Sequence, residues 1–366
     1  MGLNERLSLY GKIEGHRKRP LLVYVTSKRE GVDAAMATDV LPYLIDQCEL
    51  LSADTTELDF LIVSLGGDPM VAWRIMSLVR ERVDKVAVLV PQSAYSAATL
   101  LALGADEIIM HPNSHLGPID MQIGTFSGGK RRLFSTEDVS AFLDFVRENL
   151  SITDQRHLRR LFEITCKEVG SLGVGFTARS SKLAVALGEK LLQMHMREDS
   201  EASKRKSLVE KFSRQFHSHA YPVSRKEAID MGLSSVNSNR DTTLEALMWD
   251  LWLDLEEELQ ERRPFSPMHE LLNSQEASKL LSPVPQLDMP GNTPGPSYFQ
   301  GDIDSVLNKK VDIQPVDFQH TDAIMESARL AHWGITKGKI LASRLPDLNL
   351  QFNCLVSFRG WEKMHS

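Results

Sequence analysis

Four short apolar runs in the first third of the chain constrain its fold more than any other feature. They are residues 21–26 (LLVYVT), 60–64 (FLIVS), 86–90 (VAVLV) and 107–110 (EIIM). Each is too short for an ordinary helix, rich in β-branched residues and bounded by turn formers, so each reads as a buried strand. Stretches with the helical period lie between them. One, over 35–52, carries Met36, Val40, Leu41, Leu44, Ile45, Cys48 and Leu51; others run from Pro69 to about residue 83 and over 94–103. Strand and helix alternating over short connections predict right-handed βαβ units around a sheet covered on both faces. The fold class is therefore α/β, with a mostly parallel sheet.

Beyond residue 136 the pattern turns helical. Segments near 153–168 and 178–195 have the 3.6-residue period, with a break at 170–175 (GSLGVG), and a short helix over 225–231 ends at Gly232. Residues 241–262 form an acidic amphipathic helix with Leu244, Leu247, Leu251 and Leu255 on one face. The acidic Glu256–Glu257–Glu258 run near its end opposes the helix dipole, which predicts fraying there. Residues 263–300 are rich in proline, serine, asparagine and glycine and read as a linker. Residues 301–366 read as a small C-terminal unit with a strand over 352–358, and residues 1–19 as a polar N-terminal segment without a signal-peptide core.

The net charge is −7, so the chain lacks the basic footprint of a general nucleic-acid binder. Its basic runs at 16–19 and 130–132 read as solvated surface. The three cysteines, Cys48, Cys166 and Cys354, are far apart and have no CxxC spacing. That pattern argues against a disulfide framework or zinc site and suits a reducing compartment. No stretch reaches the roughly 18 uninterrupted apolar residues of a membrane span. The expectation is a cytoplasmic protein with no membrane span, metal or cofactor; no GxxxxGK[ST] run is present.

Two strand-to-helix turns and a following loop carry the chemistry. Ser64-Leu65-Gly66-Gly67-Asp68-Pro69 ends a strand with glycines that permit a sharp turn and expose N–H groups able to hold an oxyanion. Ser93-Ala94-Tyr95-Ser96-Ala97-Ala98-Thr99 also follows a strand and opens a helix, whose N-terminus favours negative charge on Ser96. Ser93 or Ser96 as a simple helix cap is the plainer alternative. The third piece, residues 104–120 (GADEIIMHPNSHLGPID), brings a strand and a polar loop close behind.

In this order the motifs resemble the Clp-fold serine peptidases of the Clp/crotonase superfamily, and among them the serine dehydrogenase proteinase family. The resemblance covers residues 20–240 and is strengthened by the 217–233 stretch (HSHAYPVSRKEAIDMGL). It implies a crotonase-like ββα superhelix with a C-terminal extension, homo-oligomers, and hydrolysis of peptide or protein substrates through an acyl-enzyme. Ser96 matches the family nucleophile, and Gly67 and Ala97 match the oxyanion-hole positions. The Clp proteolytic subunit orders its triad Ser, His, Asp. Here the corresponding loops offer Asp120 and then His219, an order that resembles the serine dehydrogenase proteinases. His217 and His115 are alternative bases. Lys130, Lys167 and Lys182 are weaker ones by likeness to signal peptide peptidases, and His111 reads as part of the turn at Pro112. An acyl-CoA enzyme of the same fold and a non-catalytic Clp-fold scaffold are the rival readings.

Overall fold

The computed structural model describes residues 3–119, 122–127, 130–135, 138, 141–142, 144–216, 218–282, 310–345 and 349–364. The chain opens with α1 (Leu3–Arg17), β1 (Leu21–Thr26), α2 (Leu41–Glu49), β2 (Glu57–Val63), α3 (Pro69–Arg80), β3 (Lys85–Val90), β4 (Ser93–Ala94), α4 (Ala97–Leu103), β5 (Glu107–Met110) and β6 (His115–Leu116). Strands β1, β2, β3 and β5 lie side by side and parallel, so the four apolar runs form the parallel half of one sheet. Every residue of β1 is buried, as a strand covered on both faces requires.

Two apolar layers cover that sheet. One holds Leu44 of α2, Ile75 and Met76 of α3 and Leu101 of α4 against alternate strand residues such as Leu22, Phe60, Val88 and Ile108. The other packs Tyr10 and Ile13 of α1 and a long helix against Leu21, Val23, Leu61 and Leu89. The strands thus send successive side chains to opposite layers.

A hairpin of β7 (Gln122–Ser127) and β8 (Lys130–Ser135) follows, then α5 (Gln155–Val169), α6 (Ser171–Gln193) and α7 (Ala202–Arg214). The helical break falls at Gly170 alone, which adopts φ +84, and the other residues of the GSLGVG stretch already belong to α6. Next come β9 (Val223–Ser224), α8 (Arg225–Asp230) and α9 (Thr242–Glu258). Asp241 caps α9 by accepting from the Leu244 N–H at 3.0 Å.

The core face of α9 is Leu244, Met248, Leu251, Trp252 and Leu255, whereas Leu247 is only partly buried. Its acidic end stays helical to Glu258, with cations beside two of the three carboxylates of the run and beside Glu261. Glu258 pairs with Arg6, Glu256 with Arg262, and Glu261, just beyond the helix, with Lys28. The N-terminal residues form α1 because Arg6 lies buried among Asp254, Glu258 and Glu326 while Tyr10 and Ile13 fill the core.

Of the linker expected over 263–300, residues 267–280 form the short helices α10 (Pro267–Asn273) and α11 (Ala277–Leu280), whose Leu271 and Leu280 are buried against Phe318 and Ile340, and residues 283–300 lie outside the described residues. The chain ends in β10 (Val311–Asp312), β11 (Val316–Ser327), β12 (Ala331–Arg344) and β13 (Leu350–Met364). β11 pairs antiparallel with β1, from Leu22 opposite Ser327 to Thr26 opposite Ala323. Residues 311–364 therefore extend the central sheet in the order β10-β12-β11-β1-β2-β3-β5, with β13 on the far edge of β12. The molecule is α/β, its sheet parallel in one half (β1-β2-β3-β5) and antiparallel in the other. Among the described residues no helix is long and apolar enough to cross a membrane.

Candidate active site

A small second sheet gathers the pieces that the sequence singled out. β4 pairs parallel with β6, and β6 antiparallel with β9, so Ser93 lies opposite His115 and His115 opposite Ser224. The turn bearing Ser96, the loop after β5 and the segment before α8 thus meet at the carboxyl ends of β2 and β3.

Ser96 sits between β4 and α4 with φ 52 and ψ −114. An L-residue reaches that backbone region only under steric strain, which a surrounding structure must hold in place. Ser96 occupies the N-cap position of α4, but its side chain makes no cap hydrogen bond. The simple capping alternative is therefore not what the hydroxyl does. The side chain is partly exposed, while Ala94, Ala97 and Ala98 around it are fully buried.

The neighbouring amides are distributed in a way that leaves two of them over. The Ser96 N–H donates to the Pro118 carbonyl at 3.2 Å, and the Gly66 N–H to the Ser64 hydroxyl at 3.0 Å. Ser64 is itself fully buried and shares a hydrogen bond with Thr26 at 2.7 Å. Met36 N–H donates to Gly66 O, and Asp68 N–H to Met36 O, so the Gly67 N–H is stepped over by this short parallel bridge. Ala97 is the first residue of α4 and has no acceptor a turn behind it. Among the described residues neither the Gly67 nor the Ala97 N–H has a hydrogen-bond acceptor.

The two glycines make this approach possible. A Cβ on Gly66 would fall 2.7 Å from the Ser96 Cβ and 3.0 Å from the Ala97 N, and one on Gly67 would fall 2.3 Å from the Met36 carbonyl oxygen. Both glycines have positive φ, 101 and 151. Any side chain would push the loop away from the serine.

Tyr95 ties the serine turn to the segment before α8. Its hydroxyl donates to the Ala220 carbonyl at 3.3 Å, next to His219, which lies half-buried in a turn. Ile119 N–H donates to the Phe212 carbonyl at 3.0 Å, which carries the chain to the neighbourhood of that same turn. The backbone positions beside Asp120 and beside His219 are thus brought toward Ser96. Asp120 itself and His217 lie outside the described residues.

His115 is half-buried and meets the Tyr95 ring edge-on, with centroids 5.2 Å apart. Burial, and secondarily the Lys28 charge, hold its imidazole below the ordinary value, which keeps it neutral. His111 belongs to the turn at Pro112: it accepts from the Asn113 N–H and stacks on Trp249 at 4.7 Å. Lys167 and Lys182 are exposed on α5 and α6, and Lys130 begins β8.

Sequence reasoning gave no role to Tyr95 or Lys28 and put Met36 in a helix, whereas Met36 lies ahead of α2 and bridges to Gly67. Lys28 reaches Gln92, sits 4.4 Å from the Trp252 ring centre, and burial lowers its pKa. Nothing in the local sequence marks it, because its neighbours come from α9 and the loop before β4. A cleft of about 510 Å³ opens on the other side of Met36, walled by Tyr43 and Trp361 and edged by Asp33, Asp39, Asp322 and Arg359. Trp361 donates to Asp39 at 2.8 Å, so β13 borders the loop that pairs with Gly67. Among the described residues no group of three or more His, Cys, Asp or Glu side chains is arranged to hold a metal.

Comparison with known proteins bears on these residues. Two uncharacterized proteins of Methanocaldococcus jannaschii are similar to the chain. One is 25% identical over 189 residues, covering 52% of this chain and 55% of its own length. The other is 39% identical over 69 residues, covering 19% of this chain and 24% of its own length. The chain therefore spans about half or less of the length of these relatives. Among solved structures, two variants of the membrane-bound stomatin-specific protease 1510-N, one with a substrate peptide, align with a TM-score of 0.35. They are 15% and 16% identical, covering 62% of this chain and 82% and 78% of theirs. A probable enoyl-CoA hydratase/isomerase from Mycobacterium abscessus aligns with a TM-score of 0.27 at 17% identity, covering 70% of this chain and 81% of its own. A family model matches residues 48–130, the stretch that carries both strand-to-helix turns and the loop to Pro118. Over those residues the chain is similar to the ClpP-like SDH-type serine proteinases, the family that this model describes.

Proposed function

We propose that the chain is a serine peptidase that cleaves peptide bonds through an acyl-enzyme on Ser96. The observation that carries this reading is the strained, uncapped Ser96 beside two amides without acceptors, Gly67 and Ala97. Strain at such a turn holds a hydroxyl out toward substrate where a relaxed serine would fold back onto the helix end. In the proposed reaction Ser96 Oγ attacks the scissile carbonyl, and the new oxyanion takes hydrogen bonds from the Gly67 and Ala97 N–H groups. His219 accepts the seryl proton and returns it to the departing amine, while Asp120 orients the imidazole and stabilises its charged form. Water then repeats the sequence in reverse roles to release the acyl product.

The test is labelling by a fluorophosphonate probe, which reports an activated serine regardless of substrate. Labelling should vanish in Ser96→Ala, fall steeply in Asp120→Asn and His219→Ala, and survive in His217→Ala. A folded wild type that takes no label would return the choice to an acyl-CoA enzyme or a scaffold.

One observation favours a second assignment of the base. His115 is kept neutral beside Tyr95 and is paired through the strand backbone with Ser93. If labelling falls in His115→Gln and not in His219→Ala, His115 takes the base role.

A further inference from the structure

We propose that the outer edge of β13 pairs with the same strand of a second copy of this chain, antiparallel, about a twofold axis through Asn353. Among the described residues β13 is hydrogen-bonded to β12 on one side only, so its other edge is open. Over seven residues, from Leu350 to Val356, the pairing with β12 runs without interruption; the bulge comes next, at Ser357. This straight run reads LQFNCLV and holds neither a charge nor a proline. Exposed sheet edges ordinarily carry lysine, proline or an early bulge that prevents pairing with another chain. Here the bulge and the first charged residue, Arg359, come only after the run has ended.

The side chains make the same point. Phe352 and Cys354 lie opposite Ala342 and Ile340, which are buried in the apolar cluster under α10 and α11. One strand further out, Phe352 is 44% exposed and Val356 59%. The apolar layer therefore runs off the edge of the sheet instead of ending in polar residues. On the opposite face Leu355 is 49% exposed and Leu341 38%. A surface of this kind stays in water only when something covers it.

A second copy fits the edge because the run is complementary to itself. Antiparallel pairing about Asn353 sets Leu350 opposite Val356 and Phe352 opposite Cys354. All four side chains share one face by the two-residue strand period. Gln351 then faces Leu355 on the other side, and no charge meets a like charge. A twofold axis normal to the sheet keeps the two apolar layers on the same side, so they merge into one. The partner surface is thus the chain's own β13.

The mass of the full chain in solution tests this, by sedimentation at several concentrations under reducing conditions. Asn353→Lys sets two ammonium groups face to face on the axis while leaving the exposed side of β13 otherwise unchanged. The expected result is a twofold lower mass than the wild type at the same concentration, with an unchanged circular dichroism spectrum. In a background lacking Cys48, Cys166 and Cys354, mild oxidation should cross-link Asn353→Cys to itself far more than Leu355→Cys, which faces Gln351. A monomeric wild type, an oligomer whose mass Asn353→Lys leaves unchanged, or equal cross-linking at both positions would each overturn the proposal. Stoichiometric co-purification of a different protein bound at this edge would overturn it as well.

Discussion

Gly117 and Tyr95 share space that admits only one side chain: a Cβ on Gly117 would lie 1.9 Å from the Tyr95 Cδ1. The ring lies flat against the loop that leads to Asp120 because that loop has a glycine there. Gly117→Ala should therefore move Tyr95 and, with it, the adjoining Ser96. A displacement of about 1 Å at a reacting group costs on the order of 100-fold in rate. Fluorophosphonate labelling of Gly117→Ala is expected to slow by about that factor, in a protein that still melts cooperatively. Unchanged labelling would separate the tyrosine from the serine turn.

The strain at Ser96 has a thermodynamic consequence. Such a backbone costs about 1–3 kcal/mol, and glycine would relieve it while adding about 0.5–1 kcal/mol of chain entropy to the unfolded state. Ser96→Gly should be more stable than the wild type by about 1 kcal/mol, or about 2 °C in Tm, and should take no probe. Ser96→Ala keeps the strain and should show no such gain. Thermal melts of the three proteins side by side check this.

Four imidazoles, His111, His115, His195 and His332, are held below their ordinary value of 6.5, chiefly by burial. As the pH falls through 6.5 the unfolded chain takes up protons that the folded chain resists, so stability declines with acidification. The decline continues until the folded-state values are reached. His195 also donates to the Leu103 carbonyl at 3.1 Å, which favours the charged ring and offsets part of the lowering by burial. Glu258 and Glu261 are raised by burial and titrate in the opposite sense, so the histidine effect is best read as a difference. Between pH 6.5 and 5.5 the wild type should lose stability more steeply than His195→Gln, by at most about 1.4 kcal/mol per pH unit. Urea titrations at several pH values measure it.

Arg6 joins three distant parts of the chain. Its guanidinium is fully buried between Asp254 on α9 and Glu326 on β11, where Glu326 also accepts from Tyr10 at 2.5 Å and from Trp333. Removing the cation leaves buried carboxylates without their partner, a defect worth about 3–5 kcal/mol. Arg6→Ala should lower the urea midpoint accordingly. Truncation before residue 7 should do the same.

The parallel half of the sheet was legible because β1, β2, β3 and β5 are buried on both faces and so are apolar almost throughout. The Ser96 turn was legible because small residues and glycines recur where backbone must approach backbone. The C-terminal strands were harder to read. β11 and β12 mix Asp322, Glu326, His332 and Thr336 into positions that end up buried, and their burial depends on partners such as Arg6 and Tyr10 far away in sequence. Only the apolar end of β13 stood out, and it proved to be the start of a strand of 15 residues. The helix of residues 3–17 was hidden for the same reason, since the charge of Arg6 counts as polar until its carboxylates are known. The order Ser96, Asp120, His219 rests on likeness to a family, because a triad is a relation in space that spacing along the chain does not encode.

The pairing of β1 with β11 also sets an order of events in the life of the chain. Ser27 donates to the Asp322 carbonyl at 2.7 Å, across nearly 300 residues of intervening sequence. During synthesis β1 emerges nearly 300 residues before its lateral neighbour β11. Until then the nascent sheet has one raw side, a condition in which strands find wrong partners. Closure of the parallel strands on that side thus waits for β11. A chain cut short before Val316 would hold every residue of the proposed triad and lack the strand that pairs with β1.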